Sequence, residues 1–397
     1  MRDPVRVLFL HPSNELYGAD TSLLYLLRGL DRSRFNPLVL LANDMEYSGL
    51  LSAELEKSNI LVHSFPIAVA RRKYLSPTAF PGFLGRVRTS VRAVSEIIRR
   101  EQVDIVHTNT LAPWTGALAA MRTKRPHVWH IRESLESPKQ LVTLMRRFVP
   151  SHSQRVVGVS HAVLENILVT PEARAKGVVI YNGKEPGTWM NASGRERVRS
   201  ELGLTPDDIV VGMVARISHM KAPDLCMQAV SRLMPYFPRL HCFIAGGPVP
   251  GQTDAINTLH RLIAESPDPA RFHLLGERRD APDLMMAMDI LAAPSRYGEG
   301  ASLTIIQAMF ASKPVVATDV GGNRELVNHN ETGYIVPSND IEKLTNSLGT
   351  FVESAQRRRV MGAAGQQRAL RYFTLDRTVS EFNQLLWEVY KGVPAGV

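Results

Sequence analysis

The chain has 397 residues, of which 44% are hydrophobic and 21% charged, a length and composition that predict two globular domains and exclude collagen-like, disordered and disulfide-scaffold proteins. The formal net charge is +9, and it comes from residues 1–187, which hold 25 basic and 16 acidic side chains against 22 of each in residues 188–397. Such asymmetry is typical either of a half that faces an anionic partner or of a basic surface that is simply solvated.

Short apolar runs alternate with segments of helical periodicity through the first half. The predicted strands are Val5–Leu10, Pro37–Leu41, Ile60–Phe65, Asp104–His107, Val128–Ile131 and Arg155–Val159, and the predicted helices are Ala19–Leu30, Leu50–Ser58 and Arg86–Arg100. Strands and helices in alternation are typical of a parallel sheet with helices on its faces.

The alternation starts again after a loop near Asn182–Ser200, whose Asn-Gly and Pro-Gly pairs are turn signals. The predicted strands are Ile209–Val214, Leu240–Ala245, Arg271–Leu275, Ile290–Ala293, Pro314–Thr318 and Thr332–Val336, and the helices Ala222–Leu233, Pro282–Met288, Ser302–Ala311, Ile341–Val352 and Asp376–Val389. We therefore predict two doubly wound α/β domains, residues 1–187 and 188–373, with ligands bound in a cleft at the carboxyl ends of the strands.

The sequence carries few signals of a cellular compartment or of a known catalytic motif. The only two cysteines, Cys226 and Cys242, form no Cys-x-x-Cys pair and are expected to be small buried residues in a reducing environment. No apolar run is long enough for a membrane span and the start of the chain lacks a signal peptide, so we expect a cytoplasmic protein. The sequence also lacks the phosphate-binding P-loop, the dinucleotide fingerprint, the zinc-protease motif and the serine-hydrolase motif.

The strongest chemical signal is the stretch from Pro294 to Glu325, PSRYGEGASLTIIQAMFASKPVVATDVGGNRE. A predicted strand ends at its beginning, Glu299 lies between two glycines, and a helix opens near Ser302. Backbone N–H groups at the start of a helix attract anions, and a diphosphate is the ligand expected at such a position. A carboxylate at that point is suited to binding sugar hydroxyls.

This stretch resembles the hallmark of the retaining glycosyltransferases of family 4, which have the GT-B fold. The matching residues are Pro294-Ser295, Glu299-Gly300, Gln307-Ala308-Met309, Lys313 to Thr318, Gly321-Gly322 and Glu325. Weaker matches extend over nearly the whole chain, at Tyr17-Gly18-Ala19-Asp20, His130, Ala215-Arg216-Ile217, Lys221 and Leu275-Gly276. The resemblance implies two Rossmann-like domains and a C-terminal helix, residues 374–397, that packs back on the first domain.

The resemblance also implies a role for each matching residue. His130 and Glu299 are the candidate catalytic residues at the donor sugar. The candidate ligands of the donor diphosphate are Gly18, Arg216, Lys221 and the backbone amides of Ser302, Leu303 and Thr304. Gln307 and Gly276 are the candidates for the nucleoside and its ribose. Cations at the leaving diphosphate stabilise the charge that develops there, so neither a metal ion nor a cofactor is expected.

The implied activity is transfer of a sugar, with retention of configuration, from a UDP- or GDP-sugar to a saccharide or lipid-linked acceptor in the synthesis of a cell-surface polysaccharide. Gln307 departs from the family, which has an acid there, and an amide binds hydroxyl groups less strongly than a carboxylate. Two alternatives stay open: a catalytically impaired GT-B scaffold that binds membranes, and a GT-B nucleotide-sugar epimerase.

The basic first half is consistent with a peripheral contact with anionic lipid. The predicted helix at Arg86–Arg100 has Val87, Val91, Val94, Ile97 and Ile98 on one face and arginines elsewhere, a pattern that favours either an interfacial helix or a core helix with a charged outer face. Further basic clusters are Arg71 to Lys73, Arg122 to Arg125 and Arg146-Arg147. No motif for nucleic-acid binding is present.

Overall fold

The computed structural model describes residues 4–71, 74, 78–249 and 252–392, so Arg72 and Lys73 of the first basic cluster lie outside the described residues. The chain forms two compact units. The first runs to Asn182 and includes the segment from Leu375 onward, and the second is Gly183–Thr374. The first unit thus ends a few residues before the boundary expected at residue 187.

The first unit contains one parallel sheet of seven strands in the order β3-β2-β1-β4-β5-β6-β7. The strands are β1 (Val5–His11), β2 (Phe35–Ala42), β3 (Leu61–Phe65), β4 (Ile105–Asn109), β5 (His127–Ile131), β6 (Arg155–Gly158) and β7 (Gly177–Val179). The helices are α1 (Gly18–Gly29), α2 (Leu50–Lys57), α3 (Phe80–Arg100), α4 (Thr115–Thr123), α5 (Lys139–Ser151), α6 (His161–Ile167) and α7 (Pro171–Arg174).

Both faces of this sheet are covered, which explains why its central strands are apolar almost throughout. Alternate residues of β1 point to opposite faces, so Phe9 packs in one core with Leu23 while Leu8 and Leu10 pack in another with Val94. The strand order reverses between β1 and β4. The loops that follow these two strands therefore flank the point at which such sheets bind ligands.

The second unit contains a parallel sheet of six strands in the order β10-β9-β8-β11-β12-β13. The strands are β8 (Ile209–Val214), β9 (Leu240–Ala245), β10 (Phe272–Gly276), β11 (Ile290–Ala293), β12 (Val315–Thr318) and β13 (Gly333–Val336). The helices are α8 (Pro186–Met190), α9 (Arg195–Glu201), α10 (Pro223–Leu233), α11 (Thr253–Ala264), α12 (Ala281–Ala287), α13 (Leu303–Phe310), α14 (Asn323–Leu326), α15 (Ile341–Glu353) and α16 (Ala355–Tyr372). Its core includes Cys226 and Cys242, which are free thiols, both fully buried.

The last helix, α17 (Leu375–Tyr390), packs on the first unit, where Phe382, Leu386 and Val389 join the core that contains Phe9. No helix in the described part of the chain has the length and hydropathy of a membrane span.

Helix α3 is a core helix with a charged outer face. Phe83, Val87, Val94, Ile97 and Ile98 are buried, so this apolar face packs inside the protein and is not available to a bilayer. The arginines at positions 86, 88, 92, 99 and 100 are exposed. Whatever binds this helix from outside meets guanidinium groups rather than an apolar stripe.

Candidate functional site

Two predicted site residues, Lys221 and Glu299, form a hydrogen-bonded cluster in the second unit with Ser295, a residue of the family motif that was given no role from the sequence. Lys221, in the loop between β8 and α10, forms an ion pair with Glu299 and donates a hydrogen bond to its Oε1. Ser295, just after β11, donates its hydroxyl to the same oxygen over 2.6 Å. The Glu299 side chain is 6% exposed and that of Lys221 is 23% exposed. Among the described residues these two hydrogen bonds are made to Oε1 alone, so Oε2 of the carboxylate and part of the ammonium are left for a ligand.

The helix that follows this cluster is fixed at its first turn. Ser302 is the N-cap of α13 and is buried, and the Thr304 hydroxyl donates to the carbonyl oxygen of Val214 at the end of β8 over 3.0 Å. The backbone N–H groups of the first turn have no partner within the helix. Gln307 lies one turn further along the same helix and is partly exposed.

Two further predicted residues lie at the ends of β8 and β10, the two strands that flank β9. Arg216 lies two residues beyond β8 and is exposed. Gly276 ends β10 with a φ of 62°, and its carbonyl accepts a hydrogen bond of 2.7 Å from the N–H of Gly246, which follows β9. The second unit thus gathers Arg216, Lys221 and Gly276 at the carboxyl edge of its sheet.

A support for this cluster was not found by sequence reasoning. Arg296 makes two parallel hydrogen bonds to the carboxylate of Asp224, of 2.9 and 2.6 Å, and its backbone N–H donates to the carbonyl of Met220 over 2.8 Å. The hydrogen-bonded carboxylate of Asp224 raises the pKa of Arg296, and the three contacts together join the segment that carries Lys221 to the loop that carries Glu299. Arg296 lies within the stretch from Pro294 to Glu325 and Asp224 lies three residues after Lys221, but no sequence signal shows that they pair.

In the first unit, the predicted glycine loop leads directly into α1. Gly18 is the first residue of that helix and is exposed. Asp20 closes the loop by accepting the Tyr17 N–H on Oδ2 over 2.8 Å, and its Oδ1 is 2.6 Å from Nε2 of His11 at the end of β1. His11 and Asp20, both buried, hold this turn in place.

His130 does not have the surroundings expected of a catalytic histidine. It is 1% exposed, its ring lies 4.9 Å from that of Phe382 and 5.5 Å from that of His107, and neither ring nitrogen contacts a partner among the described residues. Burial, with the nearby Arg132 charge, lowers the pKa of His130 well below its ordinary value, which keeps the ring neutral. Direct contact with a substrate requires α17 or the ring to move, so this role stays a prediction.

A metal ion is not expected at these sites. Among the residues that the structure describes, no group of three or more histidine, cysteine or carboxylate side chains is placed to hold one. The cations predicted to bind the diphosphate are Arg216 and Lys221, and independence of metal ions stays a prediction.

Comparison with known proteins covers both units. A family model described as Glycosyltransferase Family 4 matches residues 17–186, and one described as Glycosyl transferases group 1 matches residues 194–368. The chain belongs to glycosyltransferase family 4. This confirms the family inferred from the stretch around Glu299, and it makes the protein a glycosyltransferase.

Relatives of this family 4 glycosyltransferase include the lipopolysaccharide core biosynthesis mannosyltransferase LpsB of Rhizobium meliloti (strain 1021), 27% identical over 276 residues, which are 64% of this chain and 78% of LpsB. The D-inositol 3-phosphate glycosyltransferase of Nocardia farcinica (strain IFM 10152) is 28% identical over 332 residues, 76% of this chain and 72% of the relative.

Among solved structures, HepE of Anabaena in complex with UDP and glucose is 26% identical, with a TM-score of 0.81 over 98% of this chain and 100% of HepE. A glycosyltransferase of Rickettsia africae ESF-5, 21% identical, has the same fold, with a TM-score of 0.81 over 98% of this chain and 100% of that one. The predicted GT-B class, with two Rossmann-like domains, is thereby confirmed.

Proposed function

We propose that the protein is a retaining glycosyltransferase that moves a sugar from a nucleotide-diphosphate sugar, a UDP- or GDP-sugar, to a saccharide or lipid-linked acceptor in the cytoplasmic synthesis of a cell-surface polysaccharide. The observation that carries the proposal is the cluster of Lys221, Glu299 and Ser295 beside the first turn of α13. The name of the LpsB relative and the UDP and glucose in HepE support the same class of reaction.

The chemistry follows from where the charges lie. Lys221, Arg216 and the first-turn N–H groups of α13 would bind the diphosphate and stabilise the negative charge that grows on it as the sugar leaves. These fixed positive charges would stabilise the leaving diphosphate, as a bound metal ion does in other enzymes. Removal of divalent ions with EDTA is therefore expected to leave the activity unchanged.

Glu299 has a different role in this proposal. Lys221 and Ser295 hold one of its oxygens, so the other would accept hydroxyl protons of the donor sugar. We infer that the acceptor attacks the same face of the sugar that the diphosphate leaves, and that the leaving phosphate oxygen takes the acceptor proton. The configuration of the anomeric carbon would then be retained.

The decisive assay follows turnover of UDP- and GDP-sugars by wild type and by Lys221→Ala, and reads the anomeric configuration of the product by proton NMR. A matched control is Lys343→Ala, since Lys343 also faces a carboxylate in the second unit but is 65% exposed. We expect Lys221→Ala to lose at least about 100-fold in rate, the cost of about 2.7 kcal/mol of transition-state stabilisation. An inverted product, or equal rates in the two variants, would refute the proposal.

We also infer a peripheral contact with anionic membrane through the first unit. The exposed arginines of α3 support it, whereas the buried apolar face of that helix means that the contact would be electrostatic. Sedimentation with anionic liposomes is expected at low salt and is expected to disappear at high salt. Absence of sedimentation at low salt would exclude the contact.

A further inference from the structure

A chain of four hydrogen-bonded side chains lies at the carboxyl edge of the first sheet, at the ends of β1, β4 and β5. It begins at Asp20 and passes through His11 and Asn109 to Arg132. Nε2 of His11 is 2.6 Å from Oδ1 of Asp20, Nδ2 of Asn109 is 2.8 Å from Nδ1 of His11, and Nε of Arg132 is 2.7 Å from Oδ1 of Asn109.

The direction of each hydrogen bond in this series of side chains is determined by Arg132, at its end. A guanidinium group only donates hydrogen bonds, so Asn109 must present its carbonyl oxygen to Arg132 and its NH₂ group to His11. Nδ1 of His11 is therefore an acceptor, and its proton lies on Nε2, which donates to Asp20. These hydrogen bonds fix the tautomer of His11 and the orientation of Asn109. Through Asn109 they hold the guanidinium of Arg132 in one position.

The charge of Arg132 is not neutralised by the groups that hold it. Its second hydrogen bond, from Nη1 over 2.7 Å, goes to the amide oxygen of Asn182, so both of its partners are neutral. Among the described residues no carboxylate oxygen lies within 4.0 Å of the guanidinium, and the charges of Glu133 and Asp20 act on it from farther away. The carboxylate of Glu133 accepts hydrogen bonds from the backbone N–H groups of Leu111 and Arg132, over 2.7 and 3.2 Å.

Such an arrangement is costly unless an anion completes it. Desolvation lowers the pKa of Arg132 to about 10, which still leaves the group charged at neutral pH, and a partly desolvated cation without a carboxylate in direct contact costs free energy. The side chain is partly exposed, so a ligand has access to it. A guanidinium with free edges is matched in shape to phosphate oxygens.

We propose that Arg132 binds a phosphate group of the acceptor substrate. The inference rests on the proposed function, because it concerns the acceptor of that reaction. The donor diphosphate has its own cations in the second unit, Arg216 and Lys221, whereas Arg132 lies in the first unit, directly after β5, where it donates to Asn109 at the end of the neighbouring strand β4. The acceptor is accordingly a phosphorylated sugar or a lipid phosphate, and a neutral saccharide does not satisfy the site.

The test measures melting temperature against inorganic phosphate in an Arg216→Ala background, which weakens phosphate binding at the donor site. Arg132→Gln is added to that background, with Arg146→Gln as the matched control, since Arg146 is also a partly buried arginine of the first unit that donates to a neutral oxygen. We expect Arg132→Gln to weaken phosphate binding about tenfold or more, and Arg146→Gln to leave it unchanged. Equal phosphate binding in all three proteins would overturn the proposal.

A second variant keeps the arginine and guards against misfolding. Asn109→Asp places a carboxylate against the guanidinium of Arg132 and supplies the missing counter-ion, so it is expected to weaken phosphate binding about tenfold. Because the carboxylate cannot donate to Nδ1 of His11 as the amide does, no gain in the stability of the unliganded protein is expected. Unchanged phosphate binding in this variant would contradict the inference, whatever the fate of Arg132→Gln.

Two further ligands separate this inference from the proposed function and distinguish the sources of phosphate. UDP is expected to stabilise wild type and Arg132→Gln equally; loss of UDP binding in Arg132→Gln would assign the arginine to the donor and overturn the inference. Failure of UDP to stabilise wild type would instead count against the proposed function. Glucose 1-phosphate and decyl phosphate, compared in wild type and Arg132→Gln, report whether the phosphate belongs to a soluble sugar or to a lipid, and a loss for either one supports the site.

Discussion

Gly321 lies against the backbone of Glu299. A Cβ atom added to Gly321 would stand 1.8 Å from the carbonyl oxygen of Glu299, and the next N–H, of Gly322, donates to the carbonyl of Gly300 over 2.9 Å. The loop after β12 therefore supports the loop that carries the carboxylate. A glycine is required at 321 both for this contact and for its φ of 54°.

Gly321→Ala is expected to displace Glu299, and with it to abolish most donor turnover. Its matched control is Gly203→Ala, because Gly203 also has a positive φ, 67°, but no atom lies within 4 Å of an added Cβ. Both variants carry the backbone strain of about 1–2 kcal/mol, and only Gly321→Ala adds a clash. Steady-state rates that fall equally in the two variants would show that the contact with Glu299 does not matter.

Gln307→Glu is expected to bind UDP more tightly than wild type. A carboxylate accepts stronger hydrogen bonds from ribose hydroxyls than an amide does, by about 1–2 kcal/mol, or roughly 5–30-fold in Kd. Isothermal titration with UDP measures the change. Gln356→Glu, an exposed glutamine on α16, controls for the added charge, and weaker binding by Gln307→Glu would place the ribose elsewhere.

Asp224→Asn is expected to loosen the two loops that Arg296 joins. The variant loses the charge of a bidentate pair whose side chains are 23% and 20% exposed, which should cost about 1–2 kcal/mol of stability and raise the KM for the donor several-fold. The exposed pair of His219 and Asp254 lies beside the same loop, so Asp254→Asn is the control and should change stability by less than about 0.5 kcal/mol. Similar effects in both variants would argue against a positioning role for Arg296.

The stability of the first unit is expected to fall as the pH decreases below about 6.5. Burial lowers the pKa of His127 to about 3 and lowers those of His107 and His130 well below their ordinary value. In that pH range the unfolded chain binds protons that the folded chain excludes, so each histidine removes up to about 1.4 kcal/mol of stability per pH unit. Urea unfolding at pH 7 and pH 5 measures the difference.

His107→Phe provides the check on that pH dependence. The ring of His107 packs 4.7 Å from that of Phe9, and neither of its nitrogens has a partner among the described residues, so phenylalanine should fit the site. In the variant, the slope of the free energy of unfolding against pH is expected to decrease by the contribution of one histidine. A slope identical to that of wild type would mean that His107 does not exclude a proton.

The alternation of strands and helices was readable because buried parallel strands are continuous apolar runs. Val5–Leu10 and Ile290–Ala293 were predicted to within a residue of the observed strands. Helix α16 was missed because it has no apolar stripe, and packs instead through glycines: a Cβ on Gly362 would stand 2.0 Å from the carbonyl oxygen of Ser312. The strand β7 has three residues, all of them only partly buried, and is too short to give a pattern.

The candidate site was predictable only where a motif is continuous in the sequence. The position of Glu299 between glycines indicated its role, and Lys221 was found through its own motif, but their hydrogen bond is a tertiary contact. The chain of Asp20, His11, Asn109 and Arg132 joins loops after three different strands, and no local pattern marks it. The buried setting of His130 under Phe382 was likewise invisible, because residues far apart in sequence create it.

The most direct test of the donor site is a melting experiment with UDP, GDP, ADP and TDP, each with its sugars, on wild type and Arg216→Ala. A nucleotide at 100 times its Kd adds about 2.7 kcal/mol of stability to the protein that binds it. We predict that one nucleotide raises the melting temperature of wild type and fails to raise that of Arg216→Ala. If no nucleotide stabilises wild type, the second unit holds no working donor site, and the protein is a glycosyltransferase scaffold without transferase activity.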